Sequence, residues 1–371
     1  MTKNSRAANA CKISVLLLFS SILLGCNFAP SYQQPQDVVA ATVPDATPAP
    51  ALAPAVLAAA QADALQWLAD DRLRHTVALA LHNNRDLRIA ADNVAKARAQ
   101  YGIARADQLP SITAQLQGQR SRSSADVSNS TRLVNEQVSA SIGFASYEVD
   151  LWGRIRNLNE AAWQQFLQVQ ENRRGVEIAL IAEVANAWLT LAADNERLLL
   201  AQQTLDTREQ SYALMRRMFQ LGATSGLALA QNLGTVETAR GDVALYTAQL
   251  ARSHNALQLL VGAALAAEAL PPAGWLQAPA QAVWPALPQA LPSSVLLARP
   301  DVQAAEHALI AQHAHIGAAR AAFFPSITLT AGAGSASTSL SSLFKAGSGA
   351  WSFAPSISLP IFDAGSNRAT L

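Results

Sequence analysis

The chain has 371 residues, 50% of them hydrophobic and only 14% charged, with a formal net charge of +1. That balance leaves no basic surplus for nucleic acid or for an anionic membrane surface. Its prolines are unevenly placed, with none between Pro110 and Pro271. Proline removes a helical donor and clashes with the turn before it, so an interval free of it has room for very long helices.

The N-terminus carries Lys3, Arg6 and Lys12, then ISVLLLFSSILLGC, an apolar run too short to span a bilayer as a stable helix. A basic start, an apolar centre and small residues before a break mark residues 1–25 as an export signal. Leu23-Leu24-Gly25-Cys26 is similar to a bacterial lipobox, which implies that Cys26 is acylated and begins the mature chain. Asn27, where an aspartate would resemble an inner-membrane retention mark, favours the outer membrane. Cys11 leaves with the signal, so no disulfide is expected, and the covalent lipid on Cys26 is the only non-protein group predicted. Residues 26–62, including PDATPAPALAPAVLAAA, read as an extended Pro- and Ala-rich tether.

Two stretches then match at a constant offset. NRDLRIAADNVAKARAQYGIARADQLPSIT begins at Asn84, and RPDVQAAEHALIAQHAHIGAARAAFFPSIT begins at Arg299. Asp86 aligns with Asp301, Gly102 with Gly317, and Pro110-Ser111-Ile112-Thr113 with Pro325-Ser326-Ile327-Thr328, without a gap. The chain is a duplicated structure: 63–262 forms a first repeat and 299–371 a second, joined by 263–298. Each repeat opens with a helix that ends at proline, where a strand begins.

The expected strand pairs are 111–151 and 326–362. Ile112, Ala114 and Leu116 share a face, as do Val138, Ala140, Ile142 and Phe144 on the return strand. The second pair repeats this with Ile327, Leu329, Ala331 and Ala333, then Trp351, Phe353, Ile357, Leu359 and Ile361. Strands of about ten residues, apolar on one side and small or polar on the other, fit a transmembrane barrel, with a soluble half-buried sheet as the alternative. Four strands cannot close a barrel, and an open edge cannot face lipid. The membrane reading therefore predicts several copies, three giving twelve strands and two giving eight.

After YEVDLWGRIRN the period changes from two to seven. Val184, Leu191, Leu198, Leu205, Tyr212 and Phe219 are seven apart, as are Leu229, Val236, Val243, Leu250 and Leu257. Folding one run onto the other gives an antiparallel coiled-coil hairpin over 154–262 with its apex near Thr224, where Gly222 and Gly226 permit a tight turn. Its first helix, 154–220, is about 100 Å long at about 1.5 Å per residue, too long for one globular core. Gly153 lets the chain pass from strand to helix without a separate loop, and Trp152 and Tyr147 are the aromatics expected at a membrane interface.

These features together resemble the outer-membrane factor family, the TolC-like, NodT-type lipoprotein channels of tripartite drug-efflux and secretion systems. The residues that carry the resemblance are Cys26 with the following NFAPSYQQP, then YEVDLWGRIRN, RPDVQAAEHAL, ARAAFFPSITL and SFAPSISLPIFDAG. It covers nearly the whole chain. It implies an α+β membrane protein: a homotrimer with a twelve-stranded outer-membrane β-barrel, four strands from each copy, over a periplasmic α-barrel of long coiled-coil helices, with 263–298 at its equator. It also implies a periplasmic adaptor and an inner-membrane pump as partners, with the adaptor docking on Leu221, Gly222, Ala223, Thr224 and Ser225. The family often has aspartate after the leucine that follows this tip, whereas Ala228 follows Leu227 here. Gly365 stands at the second strand–helix junction as Gly153 does at the first.

Repeat length sets a further expectation. The first repeat runs from Asp86 to about Val261, so a complete second one predicts a chain longer by about 105 residues, carrying another hairpin. On that reading the 371 residues are a C-terminally truncated or incomplete form. No catalytic constellation is present in the sequence. His307, His313 and His315 lack the i, i+4 pair that places two imidazoles on one helix face, and they read as solvated helix surface. The expected function is a passive outer-membrane exit duct for drugs or other small molecules, without enzymatic activity and without nucleic acid. The alternatives are a duct for protein secretion and a periplasmic coiled-coil adaptor or scaffold lipoprotein. The duplicated strand pairs argue against the adaptor.

Overall fold

The computed structural model describes residues 27–34, 68–122, 124, 134–277 and 293–371. The export signal, Cys26 and most of the tether lie outside the described residues. In chain order the elements are α1 (Asp71–Asn83), α2 (Arg85–Ala106), β1 (Thr113–Arg122), β2 (Val134–Glu148), α3 (Arg154–Gln220), α4 (Gly226–Val261), α5 (Pro300–Ala321), β3 (Ser326–Ser337), β4 (Gly349–Ser358) and α6 (Ser366–Thr370). They fall into two compact units.

The first unit comprises Met1–Gln34, Ala95–Gln168 and Ala305–Leu371 and holds one antiparallel sheet, ordered β1-β2-β3-β4 as along the chain. Its register defines two faces. Ala114, Ile142, Ala333 and Trp351 form one row of cross-strand partners, and Phe144, Ala331 and Phe353 form the next. Intervening rows are Thr113, Gly143, Gly332 and Ser352, then Gln115, Ser141, Gly334 and Ala350. Along these rows one face is apolar while the other is small or polar and uncharged; the apolar face ends at an Arg120–Glu136 ion pair. The apolar face is bare, with Leu116 68% and Trp351 81% exposed. A contiguous apolar surface of this kind marks contact with lipid or protein.

Local chemistry adjusts the ladder in three places. Ser146, at φ 54°, forms a bulge between Phe144 and Tyr147 that keeps both rings on the apolar face, edge to face at 6.2 Å. At Gly143 and Gly334 a Cβ would collide with the backbone of the facing strand, so β2 and β3 approach where only glycine fits. Gly332 has room for a side chain. Finally, β4 stops at Ser358, and Leu359 and Ile361 do not continue its apolar row as the alternation suggests. Pro360 has no N–H to give the ladder, which ends the strand before it. Beyond the sheet, the small side chains of Ala161 on α3 and Ala311 and Ala314 on α5 form a buried contact between the two helices.

The second unit comprises Pro35–Val94 and Val169–Ala304 and holds the hairpin. Val184, Leu191, Val236 and Leu257 of the heptad seam are buried, and most of the other seam residues are half-buried; Phe219, nearest the turn, is exposed. Polar bonds cross at the same rungs. Ser253 Oγ donates to Asp194 Oδ2 at 2.6 Å, between the Leu191–Leu257 and Leu198–Leu250 pairs, and Arg240 bonds Glu209 at 2.9 Å nearer the tip. Asp194 is buried and also accepts from Arg197 at 2.7 Å. A buried polar pair of this kind penalises every shifted register, because a slip leaves its members unpaired.

At the base of the hairpin α1, which periodicity does not separate from the repeat helix, supplies Leu73, Val77 and Ala80 to a core with Leu180, Val184, Trp188, Leu257 and Val261. Asp70 caps α1 through the N–H groups of Arg72 and Leu73, and Asn84 breaks the helix and caps α2 at Leu87 N. Trp188 is fully buried; its indole N–H donates to Ala269 O at 3.0 Å, and Trp275 stands edge-on to it at 4.9 Å. Thr76 Oγ1 donates to the same carbonyl, so the described start of the 263–298 connection is pinned to the core. Trp188→Ala should cost about 3–5 kcal/mol, chiefly from lost ring burial, since Ala269 O keeps its bond from Thr76. We expect thermal loss of the helical circular-dichroism signal to shift down by roughly 6–20 °C. A shift below about 2 °C would show that Trp188 is not the centre of this core.

Candidate functional site

The hairpin turn is rigidly specified. α3 ends with the N–H of Ala223 bonded to Met218 O at 2.9 Å and that of Gly222 bonded to Phe219 O at 3.0 Å, with Gly222 in the left-handed region at φ 74°. This is a Schellman ending, which glycine adopts without strain. Ser225 caps α4, its Oγ accepting from Ala228 N at 3.2 Å. Gly226 sits inside α4, where an added Cβ would just touch the Phe219 ring, and takes no left-handed conformation. The turn thus consists of Leu221, Gly222, Ala223, Thr224 and Ser225, with Leu221 84% exposed and Leu227 and Phe219 also open to solvent. A fixed loop presenting bare apolar side chains has the character of a protein-docking surface.

The two strand–helix junctions lie in the other unit and reach the same geometry by different spacing. At the first, Gly153 is left-handed at φ 76° and Asp150 Oδ2 accepts from Arg156 N at 2.8 Å, placing negative charge at the start of α3. Glu148, the last residue of β2, takes Arg154 in a two-pronged bond at 2.8 and 2.6 Å. At the second, Gly365 is left-handed at φ 87°, and Asp363 accepts from Gly365 N at 3.0 Å and Asn367 N at 2.9 Å. Those N–H groups, Asn367's foremost, hold the Asp363 carboxyl below its ordinary range, so this cap is kept at neutral pH and lost as acid protonates it. Trp152, Asp150, Asp363 and Asn367 line one shared recess of about 440 Å³.

Trp152 is engaged rather than free at an interface. Its indole N–H donates to Pro325 O at 2.8 Å and its ring stacks on Phe324 at 5.0 Å. Phe28 completes the stack, 4.7 Å from Phe324 and nearly parallel. This reveals a clasp that sequence reasoning missed. Residues 27–34, the head of the expected tether, pack on α5 and the junction. Asn27 Oδ1 accepts from Asn157 at 3.0 Å, Phe28 O accepts from Arg320 at 3.1 Å, and Tyr32 donates to Glu306 at 3.1 Å. Ala29 lies where a Cβ on Gly317 would be, whereas a Cβ on Gly102, its partner in the repeat, would stand in open space. The unequal surroundings of two aligned glycines are invisible in sequence; only the run NFAPSYQQP beside Cys26 pointed here.

The histidines differ from expectation for the same reason. His307, His313 and His315 are all half-buried, not solvated: His307 Nδ1 meets Gln164 at 2.7 Å, and Tyr32 stands edge-on to the His313 ring at 5.7 Å. Among the described residues no group of three or more His, Cys, Asp or Glu could hold a metal ion.

The glycine pair supplies a controlled test of the clasp. Gly317→Val should displace residues 27–34 and raise their amide hydrogen exchange at least roughly tenfold. Gly102→Val, the same change in the aligned helix, should leave that exchange unaltered. Equal exchange in the two variants would show that the segment does not rest on Gly317.

Comparison with known proteins agrees with this geometry. The family model for outer membrane efflux proteins matches residues 76–263 and 291–371. The chain is 43% identical over 360 residues to the toluene efflux pump outer membrane protein TtgC of Pseudomonas putida, covering 96% of this chain and 73% of that protein. It is 40% identical over 352 residues to the cation efflux system protein CusC of Escherichia coli, covering 94% and 74%. A crystal structure of a membrane protein from Pseudomonas aeruginosa superposes with a TM-score of 0.81 at 40% identity, covering 93% of this chain and 76% of that one. The two-faced sheet, the glycine-hinged junctions and the heptad hairpin are those of an outer-membrane channel, and the chain belongs to the outer membrane efflux protein family.

Proposed function

We propose that this outer-membrane efflux channel acts as a passive exit duct, assembled from three copies and fed through a periplasmic adaptor by an inner-membrane pump. The observation that carries the reading is the sheet: one face bare and apolar, the other small or polar and uncharged up to Glu148 at its helix end, with the outer edges of β1 and β4 unpaired among the described residues. In hydrocarbon those edges must be closed by other copies, and three copies give twelve strands. On this reading Cys26 carries the lipid, and the clasp at residues 27–34 ties it to the junction at Trp152. The tip formed by Leu221 to Ser225 docks the adaptor. The duct itself catalyses nothing and holds no cofactor. Relatives named for toluene and for cations share its scaffold, which fits a conduit whose cargo is chosen by the pump.

The test uses a strain lacking its own efflux channel, with adaptor and pump co-expressed. The chain should restore drug resistance, and a cysteine placed at Ala223 should cross-link to the adaptor. Leu221→Asp should weaken adaptor binding at least roughly tenfold, or about 1.4 kcal/mol, while leaving the assembled barrel intact on gels. Unchanged binding and resistance in Leu221→Asp would remove the tip from the docking site.

A further inference from the structure

The sheet contains two kinds of pairing. β1 with β2 and β3 with β4 are each made by strands that follow one another within a repeat, whereas β2 with β3 joins the two repeats. The chain runs through α3, α4 and α5 between those two strands, so their pairing has to be closed over a long separation. It is also the seam at which Gly143 and Gly334 leave no room for a side chain, so the two strands must meet in one arrangement.

The helices beside the seam can align it. α3 begins just after β2, and α5 ends just before β3, so holding the start of α3 against the end of α5 sets the helix ends of both strands. The direct contact between these helices is slight. It consists of the small side chains of Ala161, Ala311 and Ala314, with His307 Nδ1 meeting Gln164 Oε1 at 2.7 Å. Residues 27–34 reach both helices. Asn27 Oδ1 accepts from the buried Asn157 of α3, Phe28 O accepts from Arg320 of α5, and Tyr32 donates to Glu306 of α5. The half-buried ring of Phe28 completes a stack whose other members come one from each repeat, Trp152 at 6.4 Å and Phe324 at 4.7 Å. A phenylalanine ring covers several times the apolar area of an alanine methyl, so this third ring outweighs the small helix contact it supplements.

We propose that residues 27–34 brace the β2–β3 seam, with Phe28 the positioning residue that holds the start of α3 against the end of α5 while the two repeats pair. The pairing lies within one copy of the chain, so the proposal stands apart from the number of copies that assemble and from what the duct carries. Removing the ring should therefore slow the pairing between repeats and spare the pairing within them.

The experiment uses the full chain with cysteine pairs that report each pairing separately. Ser139→Cys with Ala336→Cys spans the seam, and Gln119→Cys with Gln137→Cys spans β1 and β2. Disulfide formation is followed against time in pulse-labelled, newly made chain. Phe28→Ala should slow the seam cross-link at least roughly fivefold and leave the β1–β2 cross-link unchanged. Gly317→Val, which displaces the segment with its ring intact, should do the same, and Phe28→Tyr should recover the parent rate. A seam cross-link formed at the parent rate in both Phe28→Ala and Gly317→Val overturns the brace. Equal slowing of the two cross-links in Phe28→Ala ties the ring to folding at large and overturns its role at the seam. Failure of Phe28→Tyr to recover the rate overturns the ring as the positioning group.

Discussion

A sheet that meets hydrocarbon can leave no backbone donor or acceptor unpaired, and that constraint organises the rest of the first unit. In the proposed assembly it is met at β1 and β4 by other copies of the chain, which complete those edges. It demands that the apolar rows stay in register across all four strands, which fixes where a bulge is allowed: at Ser146, near the helix end of β2, where Phe144 and Tyr147 can both remain on the apolar face. Among the described strands the one internal proline, Pro355, lies on β4, an edge of the sheet.

The same constraint shapes the passage from strand to helix. Short connections, residues 149–153 and 359–365, do intervene, contrary to the loop-free passage expected at Gly153; each ends in a left-handed glycine and carries an aspartate that accepts from early N–H groups of the new helix. Duplication has preserved this solution and not its spacing. The repeat helices and their prolines stay aligned at one offset, yet Gly365 falls three residues short of the place that offset assigns to Gly153's counterpart. What the two halves share is a way of satisfying donors. Where they differ, as at Gly317 against Gly102, one half has acquired a second role, seating the segment that follows Cys26.

Periodic features were legible in the sequence because their cause is periodic. Alternation of Ala114 and Leu116 with Gln115 and Gln117 reports the pleat, and the heptads from Val184 to Leu257 report the seam, without any knowledge of distant partners. Features that depend on one contact between remote residues were not legible. The Asp194–Ser253 bond reads in sequence as two unremarkable helix positions. The boundary of α1 needs Asn84 to find Leu260 O, and the half-burial of His307 needs Gln164. For the candidate site this means that the turn residues and junction glycines could be named from spacing, whereas the clasp around Phe28 could not.

The polar face of the sheet bears on what such a duct can select. Along the paired positions it presents Thr113, Gln115, Gln117, Ser139, Ser141, Thr330, Ser352 and Ser356 with the bare backbone of Gly143 and Gly334 between them. The charge that reaches this face is Glu148, at the helix end, and Arg154 neutralises it. Selective pores discriminate with rings of charge, ordered carbonyls or dry constrictions. A face of uncharged hydroxyls and amides exerts little field on a passing solute, whatever its charge. On the proposed function, discrimination then falls to the helical part and to the partners that feed it.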